Sequence, residues 1–309
     1  MTFLQIDLPA LLVAVLAALS AALVGNILIL RRQALMGDAL SHMALPGIVA
    51  GYMASGAVQS WTMAVGALAA GLLGAGLIAL VRRLGRLDPA TAMGVVLTAM
   101  FAGGVLMLEF ADARNAHLDV EHALYGSLEA AIWLWPGTWT DVFVPAGWAE
   151  LPREIPLLLG AVAVLGAAFV VAFKEIRLVA FDPDFAAALG LPGWATDLLI
   201  NAAAAIAVVA AFDAVGSILV IAMLICPSAA ARLATDRFSA QVWASLVIAA
   251  AIAVLGYAFA VWGAPALGAP AALNAAGSIA CVGGVALGLA TAWRARGQRR
   301  KRVKYTANT

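Results

Sequence analysis

Residues 8–30 read LPALLVAVLAALSAALVGNILIL, a run of 23 residues without a charged side chain. At a rise of 1.5 Å per residue, a helix of about 20 residues crosses the roughly 30 Å hydrocarbon core of a bilayer. Similar runs recur along the whole chain of 309 residues, which is 64% hydrophobic and 11% charged. Soluble domains are typically about 45–50% apolar and about 25% charged. The sequence therefore predicts an integral membrane protein.

The apolar runs predict an all-α, polytopic helix bundle with about nine transmembrane helices. The pair at 196–212 and 215–231 is short and has Asp213 at its junction, so a full hairpin and a partly re-entrant element both fit, and eight spans are the alternative. We expect residues 1–293 to form one transmembrane domain and residues 294–309 a basic cytoplasmic tail. The predicted spans are 9–30, 35–57, 60–81, 90–110, 155–173, 196–212, 215–231, 240–262 and 271–293.

The basic residues predict the orientation of these spans. Short cytoplasmic loops collect Lys and Arg. With the N-terminus outside and the C-terminus inside, 16 of the 18 basic residues fall on the cytoplasmic side, and only Arg114 and Arg153 fall outside. The basic tail after Trp293 is typical of a topology anchor that attracts anionic lipid, and we expect no nucleic-acid partner.

Asp38 and His42 form the first candidate site. They are four residues apart, so on a helix they share one face. Counted from Arg32 at the cytoplasmic edge, they lie about 9–15 Å deep, where ionisable residues are costly and mark functional sites. Carboxylate and imidazole are suitable ligands for a divalent transition metal. The structural alternative is an Asp–His pair that satisfies only itself.

A second group of candidates lies near the predicted outer surface, at and after the end of the fourth helix. A site that collects cations before entry and a solvated acidic loop both fit this segment. Asn201 and Asp213 are further pore candidates, although either could instead cap or hydrogen-bond a neighbouring helix. The outer group consists of Glu109, Asp112, His117, Asp119, Glu121, His122 and Glu129.

The sequence contains no G-x-x-x-x-G-K-[ST] phosphate-binding loop. Its only lysines are Lys174, Lys301 and Lys304, and none follows a glycine. The chain is therefore not expected to be an enzyme that hydrolyses nucleotides in this way. If ATP drives its function, another subunit must bind the nucleotide.

Three stretches resemble one family, the integral membrane permeases of ABC importers for zinc, manganese or iron. The first is similar to the family pattern G-D-x-L-S-H-x-x-L-P-G, the second to its cytoplasmic coupling segment, and the third to its V-G-x-L-L-V…P-A-x-x-A-R run. They occur in the expected order along the chain. The stretches are GDALSH at 37–42 with LPG at 45–47, FDPDFAAALG at 181–190, and VGSILV at 215–220 with PSAAAR at 227–232.

The resemblance implies a permease dimer, of two copies or of two homologous chains, with cytoplasmic ATPase subunits and an extracytoplasmic metal-binding protein that delivers the ion. It implies no permanently bound cofactor, only a transported divalent metal. It places the pore ligands at Asp38 and His42, and the coupling element at Asp182, Ala186 and Gly190. The residues of this segment themselves predict a short surface helix, because Asp182 and Pro183 favour a helix start and Gly190 and Pro192 favour a helix end.

The sequence is also compatible with two other functions. In a proton-coupled secondary transporter, Asp38, Glu109 or Asp213 would relay protons. An ABC permease for a larger metal chelate would have little need for a buried Asp–His pair. The expected location is the cell membrane in either case.

Overall fold

The computed structural model describes residues 3–56, 61–110, 128–135, 137–266, 268 and 273–306, without the side chains of residues 143, 146, 213 and 297–306. The described residues form helices and connecting segments, with no strand among them. We number the main helices in chain order. They are α1 Phe3–Leu30, α2 Met36–Met43, α3 Leu45–Ser55, α4 Trp61–Gly85, α5 Pro89–Phe110, α6 Glu154–Val171, α7 Phe173–Phe181, α8 Pro183–Ala188, α9 Gly193–Ala234, α10 Phe238–Ala258 and α11 Ala275–Thr306.

The predicted span at 35–57 is a broken helix. Eight helical segments of the described chain are individually long and apolar enough to cross a membrane, and α9 supplies two of them. Helices α2 and α3 are too short alone, with 8 and 11 residues on either side of Ala44. Pro46 causes the break, because it has no amide hydrogen to donate to the carbonyl of His42 one turn earlier. Together α2 and α3 approach the length of a ninth span.

Helix α9 contains both short predicted spans and folds back on itself at Gly216, where φ is 74° and ψ is 166°. Arg31, the residue that follows α1, and Gly25 of this helix are about 9 Å apart along the helix axis. They nevertheless contact Asp197 and Leu224 respectively, which would be about 40 Å apart if α9 were straight. The chain therefore folds back at Gly216, where glycine suits a backbone conformation that other residues rarely adopt. Each arm, Gly193–Phe212 and Ala214–Ala234, is long and apolar enough to cross a membrane, which favours the full hairpin over the re-entrant element.

Helix α1 is the centre of the bundle, and small side chains let α9 approach it closely. A Cβ atom at Gly25 would lie 2.0 Å from the carbonyl oxygen of Leu224. The buried positions of α1 include Ala14, Ala17, Ala18, Ala21 and Ala22. In lipid, such close packing of small residues replaces the hydrophobic effect as the main cause of helix association.

A buried hydrogen-bond network ties α1 to α9 and α10. The side-chain amide of Asn26 donates to Ser245 Oγ at 2.7 Å and accepts from Gln241 Nε2 at 3.0 Å. Ser228 donates to the carbonyl of Ala22 at 3.2 Å. Interhelical hydrogen bonds of this kind contribute about 0.6–2 kcal/mol each in membrane bundles, so the network fixes the register of the three helices.

Helices α3 and α4 cross at glycines. A Cβ at Gly47 would lie 2.0 Å from the carbonyl oxygen of Gly66, and a Cβ at Gly66 would lie 2.1 Å from that of Gly47. A Cβ at Gly51 would lie 2.4 Å from the carbonyl oxygen of Thr62. The two backbones therefore touch directly over more than one turn.

Charged residues define several helix ends. Asp88 accepts hydrogen bonds from the hydroxyl of Thr91 and from the backbone N–H groups of Thr91 and Ala90, which lower the pKa of its carboxyl group and start α5. Arg32 follows α1 and Arg86 follows α4, both with left-handed backbones at φ 57° and 51°. Helix α11 runs unbroken past the expected domain boundary at 293/294, so the start of the basic tail is helical.

The segment after residue 127, which is predicted to lie outside, is attached to the start of α1. The backbone N–H of Trp133 donates to the carbonyl of Gln5 at 2.9 Å, and its indole N–H donates to the carbonyl of Gly147 at 3.0 Å. Trp133 is buried, whereas Trp139 and Trp148 are exposed. Exposed indole rings at a span end are typical of the membrane interface.

Candidate metal site and coupling segment

Helix α2 presents Asp38 and His42 on one side. The His42 Nε2 and Asp38 Oδ1 atoms are 3.4 Å apart, and the two side chains are 32% and 43% exposed respectively. The imidazole ring lies edge-on to the ring of Phe101 in α5, with 5.6 Å between centroids. The other face of α2 packs inward, because Met36, Leu40 and Met43 are fully buried.

Packing neighbours of this pair lie in the middle of two spans. Residues 31–35 are not helical, so a depth counted from Arg32 does not apply. A Cβ at Gly37 would lie 2.9 Å from Leu224, the central residue of the span Ala214–Ala234. Met43 Sδ lies 2.7 Å from the Cβ position of Gly74, near the middle of α4. Asp38 and His42 therefore lie between two mid-span contacts.

The described residues contain no group of three or more His, Cys, Asp or Glu side chains that could together hold a metal. Glu109 is exposed in the last turn of α5. The candidates His117 and His122 lie outside the described residues. Asp213 lies in α9 three residues before Gly216, and its side chain is not among those described. The structure thus brings together the Asp38–His42 pair, and the other ligand candidates stay predictions.

Glu129 has a structural task that the sequence did not indicate. Its Oε1 atom accepts a hydrogen bond of 2.8 Å from the backbone N–H of Ala275, at the start of α11. A carboxylate at a helix N-terminus satisfies a free donor and interacts favourably with the helix dipole. Glu129 therefore connects the segment after residue 127 to the last helix.

Asp197 has two partners that the sequence did not reveal. This carboxylate pairs with Arg31 at the end of α1 and with Arg82 in the last turn of α4. Asp197 falls inside the predicted span 196–212, and an acidic residue in a span requires a partner. The sequence therefore indicates that Asp197 needs a positively charged partner, but it does not tell which arginines provide one.

The predicted surface helix of the coupling segment is confirmed as α8. Asp182 Oδ1 caps it by accepting a 3.0 Å hydrogen bond from the backbone N–H of Phe185. Gly190 ends the segment with φ at 89°. Ala186 is buried, whereas Phe185 and Leu189 are more than half exposed. A surface hollow of about 500 Å³ lies beside the start of α8, lined by residues such as Arg177, Phe181, Asp182, Arg237 and Phe238.

The ABC 3 transport family matches residues 4–132 and 151–282 of the chain. The manganese transport system membrane protein MntD of Bacillus subtilis is 38% identical over 249 residues, which are 80% of this chain and 81% of that protein. The zinc transport system membrane protein TroD of Treponema pallidum is 33% identical over 216 residues, which are 70% of this chain and 56% of that protein.

The fold is also similar to a solved structure. The structure of PsaBC from Streptococcus pneumoniae in complex with Fab gives a TM-score of 0.69 at 25% identity, and the match covers 92% of this chain and 90% of that chain. The family match extends over most of the described bundle, including α2, α8 and α9. The chain is a multi-pass protein of the cell membrane, and it belongs to the ABC 3 transport family.

Proposed function

We propose that the chain is the permease subunit of an ATP-driven importer of divalent transition-metal ions, with zinc, manganese and iron as the substrate class. The observation that carries this proposal is the Asp38–His42 pair, held at mid-span by α2 on a face that other helices of the chain leave partly open. The names of the relatives MntD and TroD, which refer to manganese and zinc transport, support the substrate class.

The pair requires a second permease chain. Asp38 and His42 provide two ligands, whereas zinc takes at least four and other transition metals often take more. Ionisable side chains at mid-membrane depth face a protein partner or a water-filled path rather than lipid. A second copy, or a homologous chain, that met the open face of α2 would bring further ligands and exclude lipid. The metal ion would then pass between the two subunits.

Energy for transport comes, in this proposal, from ATPase subunits on separate chains that dock on α8. The coupling residues Asp182, Ala186 and Gly190 have distinct parts in its geometry: the first caps the helix, the second anchors its buried side, and the third ends it. This leaves the apolar side chains of Phe185 and Leu189 exposed. The hollow lined by Phe181 and Asp182 lies at the start of the same helix. An extracytoplasmic metal-binding protein would deliver the ion from the opposite side.

Uptake of each metal tests this function directly. Cells that lack the chain and its ATPase are complemented with both genes, or with the permease and an ATPase unable to hydrolyse ATP, and supplied separately with zinc, manganese or iron. We expect uptake of at least one metal with the active ATPase alone. Equal uptake with the inactive ATPase would instead favour a secondary transporter. A chelate permease would instead take up chelated metal, and an excess of free metal would not compete with that uptake.

The docking role of α8 predicts a loss of assembly. We expect Leu189→Asp to reduce copurification of the ATPase at least about tenfold, because a charge in the desolvated core of an interface has no partner. The amount of permease in the membrane should stay constant. Leu84→Asp is the matched control, since Leu84 is an exposed leucine at the end of α4 on the same predicted side. Equal copurification of both variants with the ATPase would contradict docking on α8.

A further inference from the structure

Asp197 connects three helices at the predicted cytoplasmic end of the bundle. Its Oδ1 atom pairs with Arg31, the residue that follows α1, and its Oδ2 atom pairs with Arg82 of α4. The Asp197 side chain is 13% exposed, and the two arginines are 15% and 25% exposed. Ion pairs this sheltered from water are coupled far more strongly than surface pairs, and removal of one partner leaves an uncompensated charge.

Asp197 is also the first charged residue after the coupling segment. Helix α8 ends at Ala188, and α9 begins at Gly193, so a four-residue link joins the two helices. Asp197 lies in the second turn of α9. A displacement of α8 would therefore move the first turns of α9, where Asp197 forms ion pairs with residues at the ends of α1 and α4.

The helices that Asp197 links are those that support the metal pair. Leu224, in the arm of α9 that follows the fold-back at Gly216, packs against Gly37, next to Asp38. Gly74 of α4 packs against Met43, next to His42. Helices α9 and α4 thus hold the two ends of α2. Asp197, in the first arm of α9, pairs directly with Arg82 of α4 and with Arg31 at the end of α1. Helix α1 in turn contacts the second arm, because Gly25 packs against Leu224.

Some polar atoms around Asp197 have no hydrogen-bond partner. Among the described residues, four buried side-chain atoms have no hydrogen-bond partner, and two of them are Arg31 Nη1 and Arg82 Nε. A third, Asn201 Oδ1, is on α9 one turn beyond Asp197, on the same face. A polar contact with unsatisfied members is less costly to rearrange than a fully satisfied one. This property suits a junction that changes during transport.

We propose that Asp197 is a positioning residue that transmits the movement of α8 to the Asp38–His42 pair by holding α9 against Arg31 and Arg82. The inference rests on the proposed ATP-driven transport and adds a site of mechanical coupling to it. Asp197 does not bind the metal in this mechanism. Its loss should separate ATP hydrolysis from metal movement.

The test uses the complete importer, permease and ATPase together, in proteoliposomes, with metal uptake and ATP hydrolysis measured in the same sample. We expect Asp197→Asn, which keeps the shape and removes the charge, to lower the number of ions moved per ATP at least about tenfold. Hydrolysis itself should stay within about twofold of wild type. Asp197→Glu should recover part of the ratio. Glu175→Gln, an exposed carboxylate of α7, is the matched control and should keep the wild-type ratio.

Two results would overturn the inference. One is a wild-type ratio of ions to ATP in Asp197→Asn. The other is a parallel loss of uptake, hydrolysis and folded protein with an unchanged ratio, which indicates a purely structural ion pair. If Asp197→Asn does not fold, the ratio of ions to ATP is measured for Arg82→Lys, which keeps the positive charge but loses the planar guanidinium group. A wild-type ratio in Arg82→Lys would also overturn the inference. Failure of wild type to couple uptake to ATP would instead refute the proposed function.

Discussion

Metal uptake through Asp38→Asn should fall at least about tenfold relative to wild type, with the same amount of protein in the membrane. The substitution preserves the size of the side chain and removes the only negative charge of the described pair. Even groups that merely orient metal ligands change metal affinity about 10–100-fold when mutated, so loss of a ligand should have at least this effect. Initial uptake rates of radioactive zinc or manganese measure it.

Thr98→Val provides the control for Asp38→Asn. Thr98 is exposed on α5, and its hydroxyl hydrogen-bonds to the carbonyl of Gly94 within the same helix. Because this bond is local, its loss should leave uptake near the wild-type rate. Uptake by Asp38→Asn equal to that of Thr98→Val would remove Asp38 from the ligand set. His42→Ala, measured beside them, reports separately on the imidazole.

The second large effect concerns the crossing of α3 and α4. Gly66→Ala should lower the thermal unfolding midpoint of the purified protein and its abundance in the membrane. The new methyl group would lie 2.1 Å from the carbonyl oxygen of Gly47, so the two backbones must separate. Overpacking of this kind costs about 1–3 kcal/mol or more, and here it would also displace the helix that continues from α2.

Gly76→Ala is the matched control on the same helix. A Cβ at Gly76 has no atom within 4 Å. Alanine is about 1 kcal/mol more favourable than glycine within a helix, so this variant should be at least as stable as wild type. Equal unfolding midpoints for the two alanine variants would show that the crossing tolerates a methyl group and that the close packing of α3 on α4 does not limit stability.

The spans that rest on apolar length alone could be predicted within a few residues. The predictions 60–81, 90–110 and 155–173 correspond to α4 Trp61–Gly85, α5 Pro89–Phe110 and α6 Glu154–Val171. Hydrophobic length marks where a chain enters lipid, but it does not mark where a helix stops. Helix α11 therefore extends 13 residues beyond the predicted end at 293, because arginine and lysine are good helix formers in water.

The candidate site was predictable only where its signal is local. Asp38 and His42 meet because residues four apart share a helix face, and α8 forms because its start and stop signals are adjacent in sequence. The partners of Asp197 come from helices 115 and 166 residues away. No periodicity encodes such a distant contact. For the same reason, the sequence could place Leu224 in a span but not against Gly37.

Arg32 and Arg86 illustrate a conflict between membrane insertion and the stability of the folded protein. Glycine is the usual residue at helix ends with left-handed backbones, and a side chain there costs about 1–2 kcal/mol. Both positions are instead arginine, in loops whose charge predicts the direction of insertion. That direction is set during synthesis, before tertiary contacts exist. A redesign guided by the stability of the folded protein alone would select glycine at both positions and so erase part of the information that orients the nascent chain.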